Sequence, residues 1–112
     1  QVISNQGLAY FNNKLYVEAA IEFENAANID SLEYVHFENA ASAYFMAGDY
    51  GKSLQYSDKV IYEFQPKTGK SEYINALSHL NIGGQQRACE LLLQSINYGY
   101  VQAQSTYNER CN

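Results

Sequence analysis

Two histidines, two cysteines and a scatter of carboxylates are the side chains with which this chain could do acid–base, nucleophilic or metal chemistry. Their spacing gives none of these chemistries a start. His36 stands two residues before Glu38 in Tyr-Val-His-Phe-Glu-Asn, and on a helix that separation turns the two onto different faces. Catalysis needs a nucleophile, an acid or base and an orienting group converging on one place. The chain has no glycine-rich phosphate loop, no serine nucleophile elbow and no His-Glu-Xaa-Xaa-His. No His or Cys pair has zinc-site spacing, so no metal, no cofactor and no enzymatic activity are expected.

Cys89 and Cys111 are too few for a disulfide scaffold. A single bridge between them would span 22 residues and stabilise by roughly 3 kcal/mol in the chain-entropy account. The alternative is a pair of buried or half-buried thiols. Glu18, Glu22, Glu24, Glu38, Asp49, Asp58 and Glu63 are spread along the chain, with Asp58 and Glu63 beside Lys59, as expected of a solvated surface. Eleven tyrosines and five phenylalanines could stack on nucleic-acid bases, but that mode also needs a cationic groove. Seven Lys and Arg against twelve Asp and Glu give a net charge of −5, which argues against nucleic acid and anionic membrane surfaces as partners. No apolar run approaches the roughly 18 residues of a membrane span, so no membrane insertion is expected.

The elements that must position these residues are set by a repeat. The 112 residues suit one domain with its own core. Ala-Tyr-Phe at Ala9 recurs intact at Ala43, and the same shift pairs Gly7 with Ala41, Tyr16 with Tyr50, Ala19 with Ser53 and Ala26 with Val60. Phe23 against Ser57 breaks the pattern. One residue further on, a third copy sets Ala76 against Ala41, Ala88 against Ser53, Leu92 against Ser57 and Ser95 against Val60. Within each copy apolar residues fall at intervals of three and four, as in Ala19, Phe23, Ala26 and Ala27, which is helical spacing. Asn12-Asn13, Ala47-Gly48-Asp49 and Gly83-Gly84 break each copy into two helices. Asp30-Ser31 offers an N-cap between the first two copies, and Pro66 with Thr68-Gly69 separates the second from the third. The spacing predicts helices over about 2–13, 16–28, 31–46, 50–64, 69–82, 85–97 and 100–111. His79 falls in register with Tyr10 and Tyr44 and reads as a packing residue, while Tyr98 and Tyr100 are the tyrosines expected at the surface.

A two-helix unit of this period, with alanine or glycine where helices cross and tyrosines beside the turn, resembles the tetratricopeptide repeat (TPR) family. "ENAASAYFMAGDYGKSLQYSDKVI" is the most typical copy. The resemblance implies an all-α, right-handed superhelical solenoid of antiparallel helix pairs in a single domain. Its repeats would run over about 1–31, 32–66 and 67–99, with a capping helix over about 100–111 hiding Leu91, Leu92 and Ile96. It also implies a concave wall built by the first helix of each repeat, which in this family commonly holds an extended peptide or a helix. Mapped onto this sequence, that wall comprises Ser4, Leu8, Phe11 and Asn12, then Val35, Glu38, Ser42, Phe45 and Met46, then Tyr73, Leu77, Leu80 and Asn81. The wall is largely apolar, which marks a protein or peptide ligand, with self-association through the same groove as the competing occupant.

One subfamily grips a C-terminal carboxylate with basic and asparagine side chains on three successive first helices. Here Asn39 and Lys70 match, but Ser4, Leu8 and Ile74 stand where the other members of that clamp belong, so the resemblance does not extend to it. The function expected is a non-enzymatic protein–protein interaction module. The alternative is a scaffold segment of a longer multidomain protein, a sensor, transport or secretion component, whose activity lies elsewhere. Gln1 suits either a fragment or a processed chain: cytoplasmic in the first case, periplasmic or secreted if a signal peptide was cleaved before it.

Overall fold

Apolar residues at intervals of three and four wind the chain into helices, and the small residues among them decide how closely those helices approach. The computed structural model describes the backbone of residues 2–111 and the side chains of residues 5–111. Among the described residues there are seven α-helices and no strand: α1 (Val2–Asn12), α2 (Tyr16–Ile29), α3 (Tyr34–Met46), α4 (Tyr50–Lys59), α5 (Lys70–Ile82), α6 (Gln85–Asn97) and α7 (Gln102–Arg110). Each helix packs against the next, and α3 also touches α5, so helix pairs stack into a solenoid 42 Å long and 25 × 21 Å across.

Two boundaries differ from the sequence expectation, each for a local reason. The third helix begins at Tyr34 rather than Ser31, because Asp30 is engaged by the preceding helix, its N–H donating to the Ala26 carbonyl at 2.9 Å. Glu33 precedes α3 in extended conformation without a side-chain cap, so the N-cap expected from Asp30-Ser31 does not form. The fourth helix keeps its expected length, but its last turn, Val60–Phe64, widens to π geometry. Gln65, at a left-handed φ of 53°, donates to the Val60 carbonyl at 2.8 Å and closes that turn.

The α1–α2 crossing leaves no room for a side chain on one of its helices. A Cβ on Gly7 would lie 2.6 Å from the ring of Phe23, which is fully buried, so the two helices meet only because position 7 carries no side chain. Ala19, Ala20, Ala40 and Ala43 surround Phe23 in the α2–α3 core, and Ala76, Ala88, Leu91, Leu92 and Ala103 form the α5–α6–α7 core. The α4–α5 crossing uses serine instead, and its hydroxyls must be satisfied. Ser57 donates to the Ser53 carbonyl at 2.7 Å, Asn75 Nδ2 to the Ser57 and Asp58 side chains at 2.7 and 3.0 Å, and Ser78 to Ser53 Oγ at 3.1 Å.

Tyr44 and Tyr56 belong to an aromatic ladder between α3 and α4 rather than an exposed platform. Tyr44 stacks on Tyr56 at 6.0 Å between centroids, and Phe37 joins Tyr56 to Phe64. Glu24 of α2 accepts from both tyrosine hydroxyls, 2.5 Å from that of Tyr44, and pairs with Lys52 at 3.4 Å. Burial alone would raise the Glu24 pKa, but these donors and the lysine charge outweigh it and hold the carboxyl below its ordinary range. The ladder thereby ties α2 to α3 and α4.

Helix α7 closes the solenoid. Ala103 is buried against the Leu91–Leu92 core, a disulfide joins Cys89 of α6 to Cys111, and the Gln85 side chain donates to the Arg110 carbonyl.

Gly7→Ala is expected to lower stability by about 1–3 kcal/mol, because the fully buried Phe23 ring has to shift. A thermal melt unchanged from that of the parent chain would show that α1 and α2 are not in this contact. Reducing the disulfide, or replacing Cys89 by Ser, should cost roughly 3 kcal/mol. Amide exchange should then rise first in α7, and exchange that rose evenly along the chain would contradict the capping role of that helix.

Candidate functional site

Helices α1, α3 and α5 line a common wall, and two adjoining cavities of about 170 and 140 Å³ open along it. The larger is lined by Phe11, Ser42, Phe45, Met46, Lys70, Tyr73, Ile74, Leu77 and Tyr100, the smaller by Leu8, Phe11, Phe23, Asn39, Ser42 and Lys70. Spacing explains the convergence. Ser42, Phe45 and Met46 share one face of α3, Tyr73, Ile74 and Leu77 one face of α5, and Leu8 and Phe11 one face of α1.

The repeat also braces the aromatic walls. Phe11 packs edge-on against Tyr16 at 5.2 Å, and its counterpart Phe45 packs against Tyr50 at 5.6 Å, so each groove phenylalanine is held by the tyrosine that opens the following helix. The third copy has Leu80 and Gln85 at these positions. There the wall is supplied by Tyr73, whose ring lies 5.2 Å from that of Tyr100.

Of the wall residues expected from the sequence, the cavities bring together Leu8, Phe11, Ser42, Phe45, Met46, Tyr73 and Leu77. Five lie elsewhere. Asn12 and Asn81 end their helices exposed, and Asn81 Nδ2 donates back to the Leu77 carbonyl at 2.8 Å. Val35, in the first turn of α3, is exposed beyond the cavities. Leu80 packs against the α5–α6–α7 core. Glu38 is buried, because the first turn of α5 covers it and Ser71 donates to its carboxylate at 2.8 Å. The side chain of Ser4 lies outside the described residues.

The wall map omitted Phe23, Asn39, Lys70, Ile74 and Tyr100. Lys70 is half-buried between the two cavities and forms no ion pair among the described residues. Its place in the register was readable, whereas Tyr100 enters only because α7 folds back against α5, where Thr106 Oγ1 and the Tyr73 hydroxyl are 3.5 Å apart.

The carboxylates are not uniformly solvated, which corrects the sequence expectation for Glu38. Glu72 is buried with it. Burial raises the Glu72 pKa, its own backbone N–H offsets this in part, and the charge of Glu38 raises it further. Tyr98 and Tyr100, expected at the surface, are half-buried, and Tyr62 and Tyr10 are the exposed ones instead. His79 is half-buried over Gly84, where a Cβ would lie 2.9 Å from its Nδ1. Among the described residues no three His, Cys, Asp or Glu side chains gather as metal ligands, and no helix is long and apolar enough to cross a membrane.

Three stacked helix pairs, small residues at their crossings and a closing helix define a helical-repeat solenoid with a groove along one wall. Its particular form is that of tetratricopeptide-repeat domains. The first TPR of Spaghetti (RPAP3), solved with the HSP90 peptide SRMEEVD, superposes with a TM-score of 0.87 at 17% identity, covering 98% of this chain and 88% of that one. The first TPR domain of human RPAP3, solved by NMR, gives 0.88 at 16% identity over 98% and 87%. The Sgt2 TPR domain from Aspergillus fumigatus gives 0.81 at 19% identity over 97% and 76%. No protein-family model matches the sequence, and comparison with curated proteins finds no match.

Proposed function

We propose that this chain is a protein–protein interaction module that holds an extended peptide of a partner in the groove between α1, α3 and α5, chiefly by apolar contact. The observation that carries this reading is the pair of adjoining cavities sharing Phe11, Ser42 and Lys70, the larger lined mostly by aromatic and aliphatic side chains. Contiguous exposed apolar surface of this kind marks an interaction site. Met46 adds an adaptable contact at the rim, and the braced rings of Phe11, Phe45 and Tyr73 supply rigid walls. The fold supports the same reading, since one TPR domain of closely similar shape is bound to a peptide.

Phe45→Ala should weaken a peptide selected from a library by about 2 kcal/mol, the cost of truncating a buried aromatic anchor. Lys70→Ala should cost less than about 1 kcal/mol, as a partly solvated charge does. Affinity measured calorimetrically should change little between low and moderate salt, because screening weakens ion pairs and leaves apolar burial in place. Dominance of Lys70 with a steep salt dependence would overturn the apolar mode in favour of carboxylate recognition. A chain that binds no peptide saturably would be a scaffold instead.

A further inference from the structure

A second opening, of about 280 Å³, lies between the π turn that ends α4, the connection to α5, the first turn of α5 and the last turn of α6. It shares no lining residue with the groove, and its chemistry is different. Tyr62 and Tyr98 line it together with the amides of Gln65 and Gln94, and Glu72 reaches it from α5. The Tyr62 hydroxyl is 2.6 Å from an Arg87 guanidinium nitrogen, and the Tyr98 hydroxyl accepts from Gln94 at 3.1 Å, so both tyrosines are tethered.

Glu72 is the residue that needs explaining. It is 6% exposed, its carboxylate is supported by its own backbone N–H, and among the described residues no other side chain forms a hydrogen bond or ion pair with it. Buried carboxylates are ordinarily paired, since an isolated charge is costly to remove from water. The charge of Glu38, which acts on it, is of the same sign and makes the cost greater. Lys67 lines the same opening, but its side chain is exposed and forms no ion pair with Glu72.

We propose that this cleft binds an organic cation, a primary ammonium or guanidinium group on a short aliphatic chain, with Glu72 as the counter-charge and Tyr62 and Tyr98 as the walls. Aromatic side chains beside a carboxylate suit such a group, because ring quadrupole and anion attract it together. The volume falls just below the range for drug-sized ligands and suits a single side chain or a small amine. An anion would meet the Glu72 carboxylate, with the solvated Lys67 and an Arg87 guanidinium already engaged by the Tyr62 hydroxyl as the cations nearby.

The full-length chain with its disulfide intact is titrated with n-butylammonium, with n-butanol and butyrate as neutral and anionic counterparts of the same length, and with Nα-acetyl-lysine methylamide. The readout is the side-chain amide NMR signals of Gln65 and Gln94. Butylammonium or the lysine derivative should shift them saturably, and butanol and butyrate should not. Response to butylammonium alone would point to a free amine, and response to the lysine derivative alone to the side chain of a partner. Glu72→Gln should lower affinity about tenfold or more, and Lys67→Met, which removes a competing cation, should raise it roughly twofold to fivefold. If Glu72→Gln melts below the assay temperature, Tyr98→Leu takes its place and should also weaken binding. The proposal is overturned if neither cation gives a saturable shift or if butanol or butyrate matches them. It is equally overturned if a folded Glu72→Gln chain, or Tyr98→Leu in its stead, binds as the parent does.

Discussion

Backbone approaches backbone in this molecule at the distance that side chains of one carbon or none permit, and the groove exists only because of that approach. At α1–α2 the limiting contact is Gly7 against Phe23, where even a methyl group would lie 2.6 Å from the ring. At α2–α3 it is made by fully buried Ala19, Ala20, Ala40 and Ala43. Larger residues there would push neighbouring helices apart. With α1, α3 and α5 no longer side by side, Phe11, Ser42 and Lys70 could not line both cavities at once. The recognition surface is thus a consequence of crossings some distance from it.

The crossings are filled in two ways. Alanine needs only close packing, whereas the α4–α5 contact uses Ser53, Ser57 and Ser78 and must pair their hydroxyls. Asn75 supplies one of these bonds, at a cost: its Oδ1 is buried and finds no partner among the described residues. The outer side of the first two repeats is secured by the Tyr44–Tyr56 stack converging on Glu24, which explains why a chain so rich in tyrosine exposes few of them. The third repeat lacks this ladder and is closed covalently, by Cys89–Cys111, with α7 laid over its leucines.

The repeat made the solenoid legible, because Ala-Tyr-Phe at Ala9 and Ala43 and the small residues at Gly7, Ala41 and Ala76 are local and periodic. Six helices follow from that together with the breaks between them, and the seventh from the helical composition of the tail. What period could not supply were features depending on one particular neighbour. Asp30 ends α2 rather than starting α3 because the Ala26 carbonyl is available to it. Glu38 reads as a solvated carboxylate until Ser71 in the next repeat covers it, and Glu72 carried no signal at all. Leu80 occupies the register of Phe45, but the α5–α6–α7 core absorbs it, and Tyr100 takes a place on the wall that no repeat position assigns.

If the wall of first helices is where a partner peptide sits, a backbone amide shift map will show it. With a library-selected peptide added to the 15N-labelled chain, saturable shifts should cluster in residues 8–11, 39–46 and 70–77, where most of the cavity-lining side chains lie. The amides of the outward turns of α4 and α6 should remain still. Shifts concentrated on α4 or α6, with the first helices undisturbed, would contradict it.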